Sequence, residues 1–252
     1  MATPAVRCIT PLLLVAAAKL AHAAHPLISE DTGTQGSGKF ELELGTSYMS
    51  AGGGRAFELD PQLSYGARDD LDLIVRPSIF WLAGSAADAA GRHAGLGTTA
   101  LDFKWRAVSY ESVSLGVRAG VDLPTASSGL GARDAGAHAI GIATYEAPGV
   151  LATANIAYTR LGADDGAGGA VRRDVLRASA AYVPELNENV RLVIDSAVFQ
   201  HPDPSVHTWP AVALVGAIAH LPMGFDVDVG WQGRLNRAAP ASVWLAGVTF
   251  RW

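Results

Sequence analysis

Residues 39–48 read KFELELGTSY, and the chemistry changes at every step. Phe40, Leu42, Leu44, Thr46 and Tyr48 share one side of an extended chain, while Glu41, Glu43, Gly45 and Ser47 share the other. Successive side chains of a strand point to opposite faces, so a period of two predicts a β-strand with one apolar and one polar face.

The same alternation returns along the chain. In FELDPQLSYG, Phe57, Leu59, Leu63 and Tyr65 oppose Glu58, Asp60, Gln62 and Ser64. LDLIVRPSIFW sets Leu71, Leu73, Val75, Ile79 and Trp81 against Asp72, Arg76 and Ser78. LDFKWRA sets Leu101, Phe103 and Trp105 against Asp102, Lys104 and Arg106. VSLGVRAGVDL sets Val113, Leu115, Val117, Val121 and Leu123 against Arg118 and Asp122. FDVDVGWQG sets Phe225, Val227, Val229 and Trp231 against Asp226, Asp228 and Gln232. The last segment, VWLAGVTFRW, puts Trp244, Ala246, Val248, Phe250 and Trp252 on one face. Residues 139–145, 150–160, 174–183, 190–199 and 209–220 carry weaker copies. The sum is about twelve strands.

Two kinds of connection join them. GARDD, APGV and LPMG are tight turns, whereas AGSAADAAGRH, PTASSGLGARDAG and GADDGAGGAVR are long and polar. Short turns at one end and long loops at the other describe an antiparallel outer-membrane β-barrel with periplasmic turns and extracellular loops. A soluble β-sandwich is the alternative, with the apolar face turned into a core. The aromatics decide between them. Traced up and down, Tyr48, Phe57, Trp81, Tyr158, Trp209, Trp231 and Trp244 fall at loop ends. Phe40, Tyr65, Trp105, Tyr110, Tyr145, Tyr182, Phe225, Phe250 and Trp252 fall at turn ends. Two aromatic girdles around an apolar band belong to a membrane barrel.

Composition agrees: 49% of residues are hydrophobic and only 17% charged, below the quarter usual in soluble domains. Residues 1–23 read as an export signal, with Arg7, the apolar stretch CITPLLLVAAA and the small-x-small site Ala21-His22-Ala23. Cys8 is the single cysteine and lies inside that signal, which excludes disulfides and thiolate chemistry from the mature chain. The chain carries a net charge of −5 and becomes more acidic once Arg7 and Lys19 leave with the signal, so nucleic acid is not an expected partner.

With the apolar face in lipid, the polar face lines a lumen. Its candidate selectivity residues are Asp72, Arg76, Asp102, Lys104, Arg106, Arg118, Asp122, Arg191, Asp195, Asp226 and Asp228, with Glu41, Glu43, Glu58, Asp60 and Arg177 beside them. Such charges select solutes, or brace a narrow barrel as ion pairs. Acidic residues gather on the first strands and the eleventh, basic ones on the third to fifth and the eighth to ninth. His93, His138, His201 and His207 fall near the loop end without metal-ligand spacing, and no metal site is expected. No Ser/His constellation for a lipid-acting enzyme is legible, so no catalytic residue and no cofactor are assigned. Residues 24–38 precede the barrel at 39–252 as a periplasmic segment or a partial plug, whose Glu30–Asp31 pair could meet lumen arginines.

The start of the mature chain, HPLISEDTGTQGSGKFELEL at His25–Leu44, resembles the N-terminal signature of an outer-membrane transporter family associated with the meta-pathway of phenol degradation. His25, Pro26, Asp31, Thr32, Gly33, Thr34, Gln35, Gly36, Gly38 and Lys39 carry the likeness. VRAGVDLPT at Val117–Thr125 and LAGVTF at Leu245–Phe250 look similar as well. The resemblance implies a barrel that passes small solutes, aromatic or hydrophobic ones among them, and assigns no site residues. The expected partners are outer-membrane lipid, small-molecule solutes and the barrel-assembly machinery, which would read the terminal aromatic strand. A structural or adhesive barrel with a closed lumen is the remaining alternative.

Overall fold

The computed structural model describes residues 25–162, 172–201 and 203–252. Residues 1–24, which hold the expected export signal, and 163–171 lie outside them.

In chain order the strands are β1 (Phe40–Ala51), β2 (Gly54–Arg68), β3 (Leu71–Arg76), β4 (Ile79–Gly84), β5 (Ala94–Leu96), β6 (Thr99–Tyr110) and β7 (Val113–Leu123). They continue as β8 (Gly136–Ala147), β9 (Val150–Arg160), β10 (Asp174–Asn187), β11 (Val190–Phe199), β12 (Ala211–Leu221), β13 (Phe225–Arg234) and β14 (Val243–Arg251). β3 and β4 both pair with β2 and form one stave, broken at 77–78. Pro77 has no N–H to give the ladder there. β5 and β6 form the next stave, broken at 97–98. The result is a closed antiparallel barrel of twelve staves. Closure runs from Glu41 opposite Arg251 to Met49 opposite Val243. It joins the first strand to the last, as lipid requires, and the short β5 at the loop end is left with a strand partner on one side.

The faces are as the alternation reads. Asp72 is fully buried beside Leu73, which is 50% exposed, and Asp195 at 1% stands beside Ile194 at 51%. Here exposure marks the outer wall. Outward-facing charges on the strands are Arg55, Arg68, Arg160 and Asp174, each at or next to a strand end. Tyr158 and Arg160 both donate to Asp174, at 2.6 and 2.9 Å. A wall this apolar, uncharged at mid-height, suits hydrocarbon, where a central charge costs about 2–4 kcal/mol. Phe57 and Trp81 pair at the loop end, and Phe40 touches Tyr65 and Trp252 at the turn end.

Two features depart from the sequence reading. The stretch AGSAADAAGRH is not a plain polar loop. It contains helix α1 (Ser85–Ala90), whose Ala86, Ala87 and Ala90 are buried against inward-facing Ala56, Phe80 and Leu82. The weak alternation after residue 150 also has a cause. On β10–β12 the inner face is itself partly apolar, with Val175, Val183, Val193, Phe199, Val212 and Leu214 buried beside Arg177, Ser179 and Asp195. Strands apolar on both faces lose the period of two.

Candidate functional site

The lumen is occupied by the segment that precedes β1. From the turn-end rim, residues 38 back to 25 run inside the barrel and touch inward-facing residues around its circumference. At the rim, Ser37 donates its N–H to Asp69 Oδ1 (2.9 Å) and Thr34 its hydroxyl to the Asp69 carbonyl (2.8 Å). Gln35 donates its N–H to Asp72 (3.1 Å) and its side-chain amide to Glu41 (2.8 Å). Thr32 donates its N–H to Thr144 Oγ1 (3.1 Å) and shares a hydrogen with Ser114 (2.5 Å).

Glu30 is the centre of the crossing and is 1% exposed. Its N–H donates to Asn155 Oδ1 (2.6 Å), and its carbonyl accepts from Asn155 Nδ2 (2.9 Å) and Thr153 Oγ1 (2.6 Å). Its carboxylate pairs with Arg118, and Lys104 Nζ lies 3.7 Å away. Arg118 also donates to Asp102 from Nε (2.8 Å) and Nη2 (2.6 Å), and to Gln62 Oε1 (2.9 Å). His138 sits between Asp102 (3.0 Å) and Asp122 (3.3 Å). Burying such charges costs several kcal/mol per ion unless hydrogen bonds offset it, and here Arg118 donates to Glu30, Asp102 and Gln62 together.

On the opposite wall, Ile28 and Ser29 both donate N–H groups to Asp195 Oδ2 at 2.7 Å, and the Ser29 hydroxyl donates to Oδ1 at 2.8 Å. Leu27 and Ile28 pack on the apolar patch of Val183, Val193 and Leu214. Pro26 and His25 end the crossing in a berth of inward glycines. A Cβ on Gly216 or Gly230 would stand 3.3 or 3.2 Å from Pro26, and one on Gly45 2.7 Å from the His25 ring. The His25 ring pairs with Asp228, and its backbone N–H donates to Glu43 Oε2 (3.1 Å).

The sequence-read lumen residues therefore divide. Asp72, Lys104, Arg118 and Asp195 hold the N-terminal segment, with Asp102 behind Arg118 and Asp228 at its far end. Arg76 faces inward four residues beyond Asp72 towards the loop end, half-buried, with its Nε buried and without a hydrogen-bond partner. Arg177 faces inward and is buried. Asp122 lies higher, with His138. Arg106, Arg191 and Asp226 stand at the turn-end rim. Arg106 donates to the Asp69 carbonyl (2.9 Å), Arg191 to Glu185 (2.7 Å), and Asp226 accepts from Arg251 (2.5 Å). Arg251, which also donates to Glu41 (2.7 Å), and inward His138 were not read from the sequence. Both keep the inward parity of their strands, so alternation alone could have found them. The loop histidines form no metal-holding group among the described residues.

With this geometry in hand, known structures can be compared. An outer membrane channel from Pseudomonas putida F1 is similar with a TM-score of 0.65, covering 88% of this chain and 98% of that one at 12% identity. The likeness is one of fold. NanC porin follows at TM-score 0.59, with 83% and 98% covered and 10% identity. KdgM porin gives 0.56 over 83% and 98% at 7% identity. No protein-family model matches the chain, and no curated protein matches it by sequence. The likeness to the phenol-pathway family thus rests on the residues quoted above.

Proposed function

We propose that this protein is an outer-membrane channel for passive passage of small solutes, held closed in the state described by residues 25–38. The observation that carries the reading is the double inversion of the wall: apolar residues face out, a charged and hydrogen-bonded interior faces in, and the segment crossing that interior is tied by side chains rather than by strand pairing. Side-chain ties to a segment outside the barrel ladder can be released without unfolding the wall. The structural likeness to a channel and two porins supports the class. No energy-coupling element is needed for diffusion.

The solute is small and includes aromatic or hydrophobic compounds. Two features support this: the resemblance at His25–Leu44, and a buried apolar patch of Val183, Val193 and Leu214 on the inner wall of β10–β12 beside the charged Arg177 and Asp195. Arg76 and Arg118 set charge preference along the path. Replacing both by Ser shifts the reversal potential towards cations in planar bilayers under a KCl gradient; an unchanged potential removes them from the selectivity role. Deleting Pro26–Gln35 raises single-channel conductance several-fold, and an unchanged conductance means the segment does not occlude. A second reading, a permanently closed structural barrel, is favoured by the saturated ties of Glu30. Liposome swelling with small sugars and with benzyl alcohol separates the two, because a structural barrel admits none of them.

A further inference from the structure

One sector of the lumen holds more negative charge than its neighbours neutralise. β1 and β13 turn Glu41, Glu43, Asp226 and Asp228 into it, with β14 between them. Arg251, His220 and His25 are cationic groups of this sector, and Lys104 acts on Glu41 from beyond it. Arg251 is committed to Glu41 and Asp226 at the rim, His220 to Asp226, and His25 to Asp228. Glu43 is 5% exposed and accepts from two neutral donors, Gln62 Nε2 at 2.9 Å and the His25 backbone N–H at 3.1 Å. Its carboxyl also meets that of Glu41, and as none of these partners is a cation, much of its desolvation cost stands.

The backbone nitrogen on Glu43 has a special place in the sequence. It belongs to the second residue after Ala21-His22-Ala23, the small-x-small site at the end of the export signal. Consecutive residues lie about 3.8 Å apart. A cut after Ala23 puts the new α-amino group one residue from that nitrogen, and a cut after Ala24 makes it the very atom 3.1 Å from Glu43. The inward glycines Gly45, Gly216, Gly230 and Gly247 around His25 and Pro26 are a second, independent sign that the wall is built to receive this end of the segment. In an uncut chain the same position carries a neutral amide.

We propose that Glu43 forms a docking site for the α-ammonium group created by signal removal, with Asp228 holding the His25 ring beside it. Processing then charges the tip of the segment and fastens it in the lumen. The inference rests on residues 25–38 occupying the lumen, not on what the channel passes.

The test uses mature protein purified from outer membranes, with its first residue fixed by mass spectrometry. Folded protein in detergent is treated with an amine-reactive acetylating reagent at pH 7, and labelling is located by peptide mapping. Exposed Lys39 is the internal reference. The α-amine is expected to react at least tenfold more slowly in the folded than in the urea-unfolded chain, and E43Q/D228N is expected to restore the rate. A folded α-amine that labels as fast as the unfolded one, or a mature chain that starts elsewhere than Ala24 or His25, overturns the proposal. Should E43Q/D228N not fold, a chain extended by Gly-Ser ahead of Ala24 keeps the test open. Moving the charge out of the berth is expected to lower the unfolding temperature, read by heat-modified gel migration, by several degrees; an unchanged temperature overturns the proposal. Conductance of the Pro26–Gln35 deletion is scored separately, so failure of the docking site and failure of the channel reading are told apart.

Discussion

Arg118 is where the wall and the N-terminal segment share one side chain. It bridges Glu30 of the segment and Asp102 of β6, and all three are buried. Removing one partner of a buried pair costs about 3–5 kcal/mol, because the charge left behind has no water to turn to. Arg118→Met therefore lowers the urea midpoint of the folded barrel markedly, while Glu30→Gln, which keeps the hydrogen-bonding shape, lowers it less. Equal midpoints for the two variants would falsify this account of the pair. At the rim, Asp70 is held below the usual carboxylate range, first by its hydrogen bond from Arg68 and then by the Trp105 indole, against the opposing effect of desolvation. A depressed value contributes stability above the unfolded pKa of about 3.9, and that contribution is lost as pH falls through the folded value. Asp70→Asn should thus matter at pH 6 and lose its effect near pH 2. A difference from wild type that persists unchanged at low pH would assign the effect to something other than this carboxylate.

At the scale of elements, legibility followed the period. β1, β2, β6, β7 and β13 alternate apolar with charged residues, so their faces could be read from the sequence, as could the inward position of Arg118. Its partner was legible only as a class: the Glu30–Asp31 pair could be expected to meet lumen arginines, but not Arg118 in particular, because Glu30 lies 88 residues away on a segment with no period of its own. Helix α1 was hidden for a different reason. SAADAA is too short to display a helical repeat, and its three buried alanines look like loop filler. The glycine berth was hidden because an inward glycine reads as an absence until something fills it. Gly247 tests that berth. A Cβ there would stand 2.6 Å from Asp228 Oδ2 and closer still to His25. Gly247→Val should expel His25 while leaving the barrel folded, which limited proteolysis between 25 and 38 would detect. Full protection of that stretch in the variant would mean the wall yields instead. For α1, Ala87→Asp places a carboxylate among Phe80 and Leu82, which the fold cannot satisfy. Cleavage at 85–93 should rise sharply with β-barrel migration on gels unchanged, whereas an uncut helix would show that α1 docks through other contacts.

For the whole molecule the decisive event is closure, and the seam between β1 and β14 is where it occurs. Trp252 lies just past β14 and still pairs: its N–H donates to the Phe40 carbonyl (3.1 Å), and its carbonyl accepts from the Phe40 N–H (2.9 Å). Its ring stacks on Phe40 at 5.6 Å and on Phe250 at 5.1 Å. Deleting Trp252 removes both seam hydrogen bonds, and in lipid no water replaces them. It also removes two ring contacts, each contributing about 0.5–1.5 kcal/mol. Arg251, whose bonds to Glu41 and Asp226 tie three staves together inside the rim, would then sit on a fraying end. Losing one exposed loop residue such as Ser128 touches none of this. The two deletions should therefore differ in the yield of heat-modifiable protein recovered from outer membranes. Loss of Trp252 should reduce it several-fold, loss of Ser128 should leave it near wild type, and Trp252→Phe should recover most of it by restoring the backbone pair and one ring. If the Trp252 deletion assembles as well as the Ser128 deletion, the seam is held by β14 up to Arg251 alone, and the terminal aromatic has no part in closing the barrel.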